Sequence, residues 1–253
     1  MTSGIRFDPP LVPGRLIRRE NRFIGSIALD DGRVVEAHCT NTGSLMGVLT
    51  PGARVWLRLE PGAARRTAYT WVLVRHRRHW VGIDTLLPNR LAFQMASRGA
   101  IPELAGYTLV EREVPCEPGS RLDLRLTAPG RPDCWVEIKN CHATARTLDP
   151  GVPGPAVPPG LRDIALFPDA PTERGRKHLA VLSRLRAAGH RSVLLVIMQR
   201  DDVDAFGPAA GIDPDYAVAL AEAVRCGVEV VPYTCTVSPR EVRLARRIPL
   251  RLG

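Results

Sequence analysis

The stretch SRLDLRLTAPGRPDCWVEIKN, Ser120–Asn140, decides how this chain is read. Two runs alternate apolar and polar residues, as half-buried strands do, and a turn rich in proline and glycine joins them. The first run carries Asp123, and the second carries Glu137 and Lys139. Alternate residues of a strand share a face, so Glu137 and Lys139 point the same way, about 7 Å apart along the backbone. If the two strands are neighbours, Asp123 lies beside Glu137. Two carboxylates that close repel unless a cation joins them. Hard oxygen donors with open positions suit Mg²⁺ or Mn²⁺, with the Ile138 carbonyl as a third candidate ligand. Water on such an ion becomes acidic, and the Lys139 ammonium could orient it or offset charge on a phosphate oxygen, which is the chemistry of phosphodiester hydrolysis. On spacing alone, three charges on the solvent face of an antiparallel sheet remain the better reading of Asp-x13-Glu-x-Lys.

Composition narrows the setting. The 253 residues are 45% hydrophobic and 24% charged, an ordinary globular mixture with length for one large domain or two modest ones. No apolar run reaches the roughly 18 residues of a membrane span, and MTSGIRFDPP lacks the apolar centre of a signal peptide. The six cysteines form no CxxC pair, so reduced thiols and a cytoplasmic location are expected. A zinc site from Cys134, Cys141 and His142 lacks the spacing of the common modules. The net charge of +9 is uneven: residues 1–95 carry 14 arginines against 7 acids, and the segment from Arg240 carries five arginines against Glu241. Clustered cations favour a polyanionic partner through counterion release, although an arginine-rich surface explains the count as simply. Only Lys139 and Lys177 are lysines among 35 basic residues. A lysine kept where arginine is the rule marks a position suited to a compact ammonium.

Outward from the opening stretch, the chain divides in two. Residues 1–86 read as short strands: GRLIRRENRFIGSIAL, RVVEAHC, PGARVWLRLEPG between two Pro-Gly pairs, TAYTWVLVRH and HWVGID. Such spacing suggests a small antiparallel OB-like barrel, whose usual ligands are oligonucleotides or oligosaccharides. The charge of this half disfavours the oligosaccharide. Candidate nucleic-acid contacts are Arg18 and Arg19, the loop residues Asn41, Thr42 and Ser44, and Arg75, Arg77 and Arg78 of RHRRH. In the loop, a turn closed by Asn and Ser side chains is the simpler reading. Trp56 and Trp71 are expected in the barrel core and Trp80 on a barrel strand.

Residues 87–238 change rhythm. A helix over NRLAFQMASRGAIPEL precedes the strands YTLVEREVPC, SRLDLRLTA and CWVEIKNC. A second helix, TERGRKHLAVLSRLRAAG, has Thr172 as N-cap, a Leu179, Leu182 and Leu185 stripe, and Gly189 as its stop. RSVLLVIMQR reads as a strand buried on both faces, with Gln199 at its end. The helix DPDYAVALAEAVRCG and the strand VEVVPYTC follow, giving the order α-β-β-β-α-β-α-β of a mixed sheet flanked by helices. Residues 149–160 form a Pro/Gly-rich flexible loop without a core, and residues 239–253 a basic tail. His178 and Tyr216 read as packing or capping residues.

This order resembles the PD-(D/E)XK nuclease superfamily. More specifically, CTNTGSLMG, AGYTLVEREV with GSRLDLRL, VEIKN, FPDAPTERGRKHL, GHRSVLLVIMQR and GIDPDYAVALAEAVRCGVEVVPY resemble the sugar fermentation stimulation protein family, from about Arg15 to Tyr233. The resemblance implies an OB-like domain followed by a nuclease-like domain, an α+β two-domain architecture, DNA binding with RNA left open, and a link to the regulation of sugar-utilisation genes. It implies metal-binding acids at Asp123 and Glu137, the active-site lysine at Lys139, and a further acid at Glu103. It also brings Asp169, Glu173, Arg174 and Lys177 near the site, with Arg174 and Lys177 as nucleic-acid contacts. The loop at 149–160 departs from the usual short connection and would gate or decorate the site. A non-catalytic DNA-binding regulator built on the same scaffold is the second reading.

Overall fold

The computed structural model describes residues 4–60, 62 and 66–252. Met1–Ser3 and Pro61, the first half of the second Pro-Gly bracket, lie outside the described residues.

The chain opens with β1 (Gly4–Arg6) and then enters a barrel of β2 (Val12–Glu20), β3 (Ile24–Leu29), β4 (Val34–His38), β5 (Arg54–Leu59) and β6 (Tyr69–His76). The strands run in the order β4-β3-β2-β5-β6, and a parallel β4–β6 pairing closes the ring. This is an OB barrel. Its interior is filled by inward residues such as Leu16, Ile27, Val55, Leu57 and Trp71, all buried as period-2 alternation requires. A hairpin strand, β7 (His79–Gly82), extends β6. The core expectation holds for Trp71, whereas Trp56 is half-buried and meets Trp80 edge-on at 6.2 Å.

After α1 (Leu87–Ser97) come β8 (Leu109–Glu117), β9 (Ser120–Thr127) and β10 (Cys134–Cys141), then β11 (Ile164–Phe167), α2 (Glu173–Ala187), β12 (Arg191–Met198), β13 (Ala205–Pro208), α3 (Pro214–Arg225), β14 (Glu229–Val237) and β15 (Glu241–Arg247). The main sheet has the order β1-β15-β14-β12-β10-β9-β8, and β11 pairs with β13 beside it. β12 is parallel to both β10 and β14 and nearly all buried, which explains its unbroken apolar run. Its odd residues Val193, Leu195 and Ile197 pack with Leu87, Leu91 and Met95 of α1. The even residues Leu194, Val196 and Met198 pack with Leu179 and Leu182 of α2 and Leu220 of α3. Thr172 caps α2 by accepting from the Gly175 N–H at 3.0 Å, as its sequence position predicts.

Two boundaries differ from the sequence reading. The segment expected as a basic tail contains β15, paired antiparallel with β14, and β1 at the other end of the chain pairs with β15. Val242 and Leu244 of that strand reach the core, so its arginines sit on an ordered strand between β1 and β14. The 149–160 segment forms no strand or helix, and its Val157 packs beside Leu148 and Leu161 on the β11–β13 pair. Among the described residues no helix is long and apolar enough to cross a membrane. All six cysteines are free thiols. Cys134 and Cys141 occupy opposite ends of β10, about 23 Å apart at strand rise, so they cannot share a zinc ion.

Candidate active site

β9 and β10 pair antiparallel at Cys134↔Leu126, Trp135↔Arg125 and Val136↔Leu124. The next step of that register sets Asp123 across from Glu137. There the ladder stops, and the side chain of Asp123 replaces a backbone acceptor: its Oδ2 accepts the Ile138 N–H at 2.7 Å. Its other oxygen, Oδ1, accepts from Asn89 Nδ2 of α1 at 2.7 Å. Glu137 and Lys139 share the face of β10 that looks toward α2. Lys139 Nζ donates to Glu137 Oε1 at 2.6 Å, and His178 Nδ1 of α2 makes a short contact with the same oxygen. Arg174 and Lys177 lie on α2 four residues and one residue before His178, so one helix face presents all three.

These side chains border one open groove of ≈ 610 Å³, lined by Glu113, Glu117, Arg121, Asp123, Glu137, Arg174, Lys177 and His178, among others. Glu113 sits across β8–β9 from Asp123, between the pairs Arg112↔Leu124 and Val114↔Leu122, at a left-handed φ of 52°. Burial, and then the negative charge of Glu137, raise the Asp123 carboxyl from 3.8 to about 6. Burial pushes Glu137 the same way, but the hydrogen bond from His178 and the ammonium of Lys139 outweigh it and hold the carboxyl below its ordinary value. The groove thus pairs a carboxyl that resists ionisation with one that is locked ionised.

Among the described residues no group of three or more His, Cys, Asp and Glu side chains converges as a metal set. The donors present still fit a small hard cation. Mg²⁺ is commonly held by one or two carboxylates and keeps several waters. A cation between Asp123 and Glu137 would also offset the repulsion that adds to burial in raising the Asp123 carboxyl.

Against known proteins, residues 17–83 match the family model described as the SfsA N-terminal OB domain, and residues 86–241 the one described as the sugar fermentation stimulation protein RE domain. The chain belongs to the sugar fermentation stimulation protein family. The sugar fermentation stimulation protein homologue of Geobacter sulfurreducens is 45% identical over 244 residues, covering 96% of this chain and 97% of the relative. The homologue of Caulobacter vibrioides is 41% identical over 239 residues, covering 94% of each. The solved structure of Pyrococcus furiosus SfsA in complex with Ca²⁺ superposes with a TM-score of 0.81 at 26% identity, covering 99% of both chains.

Within this member of the family, several expected site residues lie elsewhere. Glu103 accepts from the Tyr233 hydroxyl at 2.9 Å and pairs with Arg247 at 3.1 Å, outside the groove. It sits in a 3-10 turn beyond α1, and the residue of α1 that does reach Asp123 is Asn89. Asp169 lies against the CTNTGSLMG loop, where a Cβ on Gly43 would fall 1.9 Å from its Oδ2, and Glu173 is an exposed first-turn residue of α2. Gln199 ties the domains, donating to the Asp84 carbonyl and to Asn140 Oδ1. The 149–160 loop contributes nothing to the groove lining. His178, read from sequence as packing, is a groove residue that touches Glu137. The only sequence signal was its place one residue after Lys177 on the same helix.

The barrel residues divide likewise. Arg19 donates to the carbonyls of Asn41 (2.6 Å), Gly43 (2.9 Å) and Ser44 (3.3 Å), so it organises the loop. Asn41 Oδ1 accepts the Gly43 N–H, and Ser44 Oγ reaches the Asp169 carbonyl, so the turn reading of this loop holds and Thr42 alone of the three points out. Arg18 pairs with Glu20 at 2.8 Å, and Arg75 stacks on Trp80 at 4.8 Å. Sequence reasoning missed a second depression of ≈ 540 Å³ at the loops of the barrel, lined by Asn21, Phe23, Ile24, His38, Arg66 and Thr67, in which Phe23 is 51% exposed.

Proposed function

We propose that this chain hydrolyses phosphodiester bonds of nucleic acid, DNA in the first place, with Mg²⁺ or Mn²⁺ held by Asp123 and Glu137. The observation that carries this reading is the break in the β9–β10 ladder, which sets the half-buried Asp123 and the buried Glu137, itself bonded to Lys139, in a groove also lined by Arg121, Arg174 and Lys177. The helix–strand order and the Asp, Glu-x-Lys arrangement resemble PD-(D/E)XK nucleases. The Ca²⁺ in the Pyrococcus relative supports a divalent cation, since Ca²⁺ takes the same hard oxygen donors.

In this reading Asp123 and Glu137 hold the ion, and Asn89 and the Ile138 N–H fix the Asp123 carboxylate. The ion, when bound, makes water a nucleophile at neutral pH and offsets phosphate charge. Lys139 holds the attacking water or a non-bridging phosphate oxygen, and His178 fixes the Glu137 carboxylate. Arg174, Lys177 and Arg121 bind the phosphates on either side of the scissile bond. Phe23 offers a face on which an unpaired base stacks. Incubation with single- and double-stranded DNA and RNA, with Mn²⁺ or Mg²⁺, is expected to give cleavage that Glu137→Gln and Lys139→Met each reduce about 100-fold or more. Cleavage unchanged in both variants, or absent on every substrate, refutes the catalytic reading.

A non-catalytic DNA-binding regulator of sugar-utilisation genes is the second reading. It is favoured by the engagement of Glu137 Oε1 by both Lys139 and His178, which gives this carboxylate a structural role. A Mn²⁺ titration by calorimetry without a binding isotherm, alongside intact DNA binding, would select it.

A further inference from the structure

The turn from β6 to β7 consists of Arg77 and Arg78, with Arg77 at a φ of 52°. The first position of such a two-residue turn is ordinarily glycine when its φ is positive, because an L side chain crowds its own backbone there. The chain nevertheless places arginine at both positions, and both are exposed. The turn does not stand alone in solvent. Across the seam between the domains it meets Arg146, in the 3-10 turn after β10, and Arg162, just before β11. With His79, Asp163 and Asp202 they line a pocket of ≈ 270 Å³ that shares no residue with the Asp123–Glu137 groove.

The acids of this pocket are already committed. Asp163 accepts from the Thr144 hydroxyl at 2.6 Å and from the N–H groups of Ile164 and Arg146 at 2.8 and 3.2 Å. Asp202 is held by two nitrogens of Arg200, at 2.6 and 2.8 Å. Two flanking acids are occupied as well: Asp201 meets His79 at 2.7 Å, and Asp204 takes the Arg162 guanidinium at 2.7 Å. Arg146 donates Nε to the Arg162 carbonyl, and its terminal nitrogens make no hydrogen bond or ion pair among the described residues. The guanidinium groups of Arg77 and Arg78 make no hydrogen bond or ion pair among the described residues. Asp202 is balanced by Arg200, and Asp163, whose donors are all neutral, offsets one charge, so the three guanidinium groups leave the pocket with an excess of positive charge. A guanidinium fork matches the oxygens of a phosphate, and the volume suits one such group.

We infer that this seam pocket is a phosphate-binding subsite, formed by Arg77, Arg78 and Arg146, that takes a phosphate of a nucleic-acid backbone or a free phosphate. A backbone source rests on the nucleic-acid reading above. Because each domain supplies part of the pocket, its occupant also ties the barrel to the sheet.

The test uses Arg77→Gly/Arg78→Ser, which removes two charges while supplying the glycine-first turn this backbone favours, so the hairpin is kept. Binding of a labelled oligonucleotide is followed by anisotropy across a salt series, and inorganic phosphate and pyrophosphate are titrated by calorimetry. The expected result is a slope of log K against log salt that is shallower by about 1–2 than in the wild-type chain, since each lost phosphate contact removes roughly 0.7–0.9. Pyrophosphate binding that the variant abolishes, with an unchanged DNA slope, assigns the pocket to free phosphate instead. A variant that keeps the wild-type DNA slope and the wild-type phosphate binding overturns the inference, as does a wild-type chain that binds none of these ligands. Metal-dependent cleavage is scored separately. Its absence beside an altered slope refutes the proposed catalysis and leaves the subsite standing, and cleavage beside an unaltered slope and absent phosphate binding does the reverse.

Discussion

Lys139 and Glu137 form an ion pair whose structural and chemical roles a thermodynamic cycle separates. The contact is 2.6 Å, and the side chains are 13% and 5% exposed, so water screens it little. Breaking a buried pair by removing one partner costs about 3–5 kcal/mol, whereas exposed pairs are worth about 1 kcal/mol or less. Here His178 remains on Glu137 Oε1 after Lys139→Met, so the orphaned carboxylate keeps one donor. The expected loss is therefore about 2 kcal/mol, the range of a hydrogen bond to a charged group. In a chain of this length that lowers Tm by about 4–8 °C. Glu137→Gln keeps an oxygen for Lys139 and is expected to cost about 1 kcal/mol. The double variant is expected to be more stable than the sum of the singles by at least about 1 kcal/mol, because neither charge is left alone. Urea unfolding of the four proteins without metal gives the cycle, and cleavage assays on the same samples give activity. A coupling below about 0.5 kcal/mol refutes the buried-pair argument. Restored stability with activity still lost assigns these residues to chemistry rather than to folding.

Three further outcomes are expected. Asn89→Ala frees Asp123 Oδ1 and should weaken Mn²⁺ binding about 10–100-fold in calorimetry, as loss of a partner to a metal ligand does, whereas Glu103→Ala should leave it unchanged. Gly43→Ala forces a Cβ to within 1.9 Å of Asp169 Oδ2 and should lower Tm by several degrees, about the effect of a 1–3 kcal/mol overpacking clash, whereas Gly52→Ala, with open space beside its Cβ position, should cost only the strain of its φ of 81°. Asp213, buried at the start of α3, is pushed up by burial but held below its ordinary 3.8 by the N–H groups of Thr172 and Tyr216 and by Arg176. A carboxyl lowered in the folded state adds stability that is complete above 3.8 and lost as pH falls below it, so the urea midpoint of Asp213→Asn should depend less on pH in that acid range than that of the wild-type chain.

Much of the site could be read from local pattern. Period-2 alternation placed Glu137 and Lys139 on one face of a strand, and the apolar run of RSVLLVIM marked the buried strand beside it. Thr172 and the Leu179–Leu182–Leu185 stripe announced α2 because caps and helical periodicity are local signals. His178 was misread because a histidine on an otherwise apolar helix face looks the same whether it packs or faces a carboxylate on another element. Glu103 was misread because charge and proximity in sequence say nothing about which side of α1 its turn leaves. Asn89 carried no signal at all, since its role depends on a carboxylate 34 residues away.

By itself, the sequence determined two domains, an OB barrel followed by a mixed sheet with helices, and which strands carry Asp123, Glu137 and Lys139. These follow from periodicity, turn chemistry and caps, which act over a few residues. Tertiary structure alone decided that the β9–β10 ladder opens where the two acids meet, and that α2 sets His178 on Glu137. It also decided that the terminal arginines sit on a paired strand, and that Arg77 and Arg78 face Arg146 across the domain seam. Those outcomes depend on contacts between segments far apart in the chain, and no spacing of residues records them.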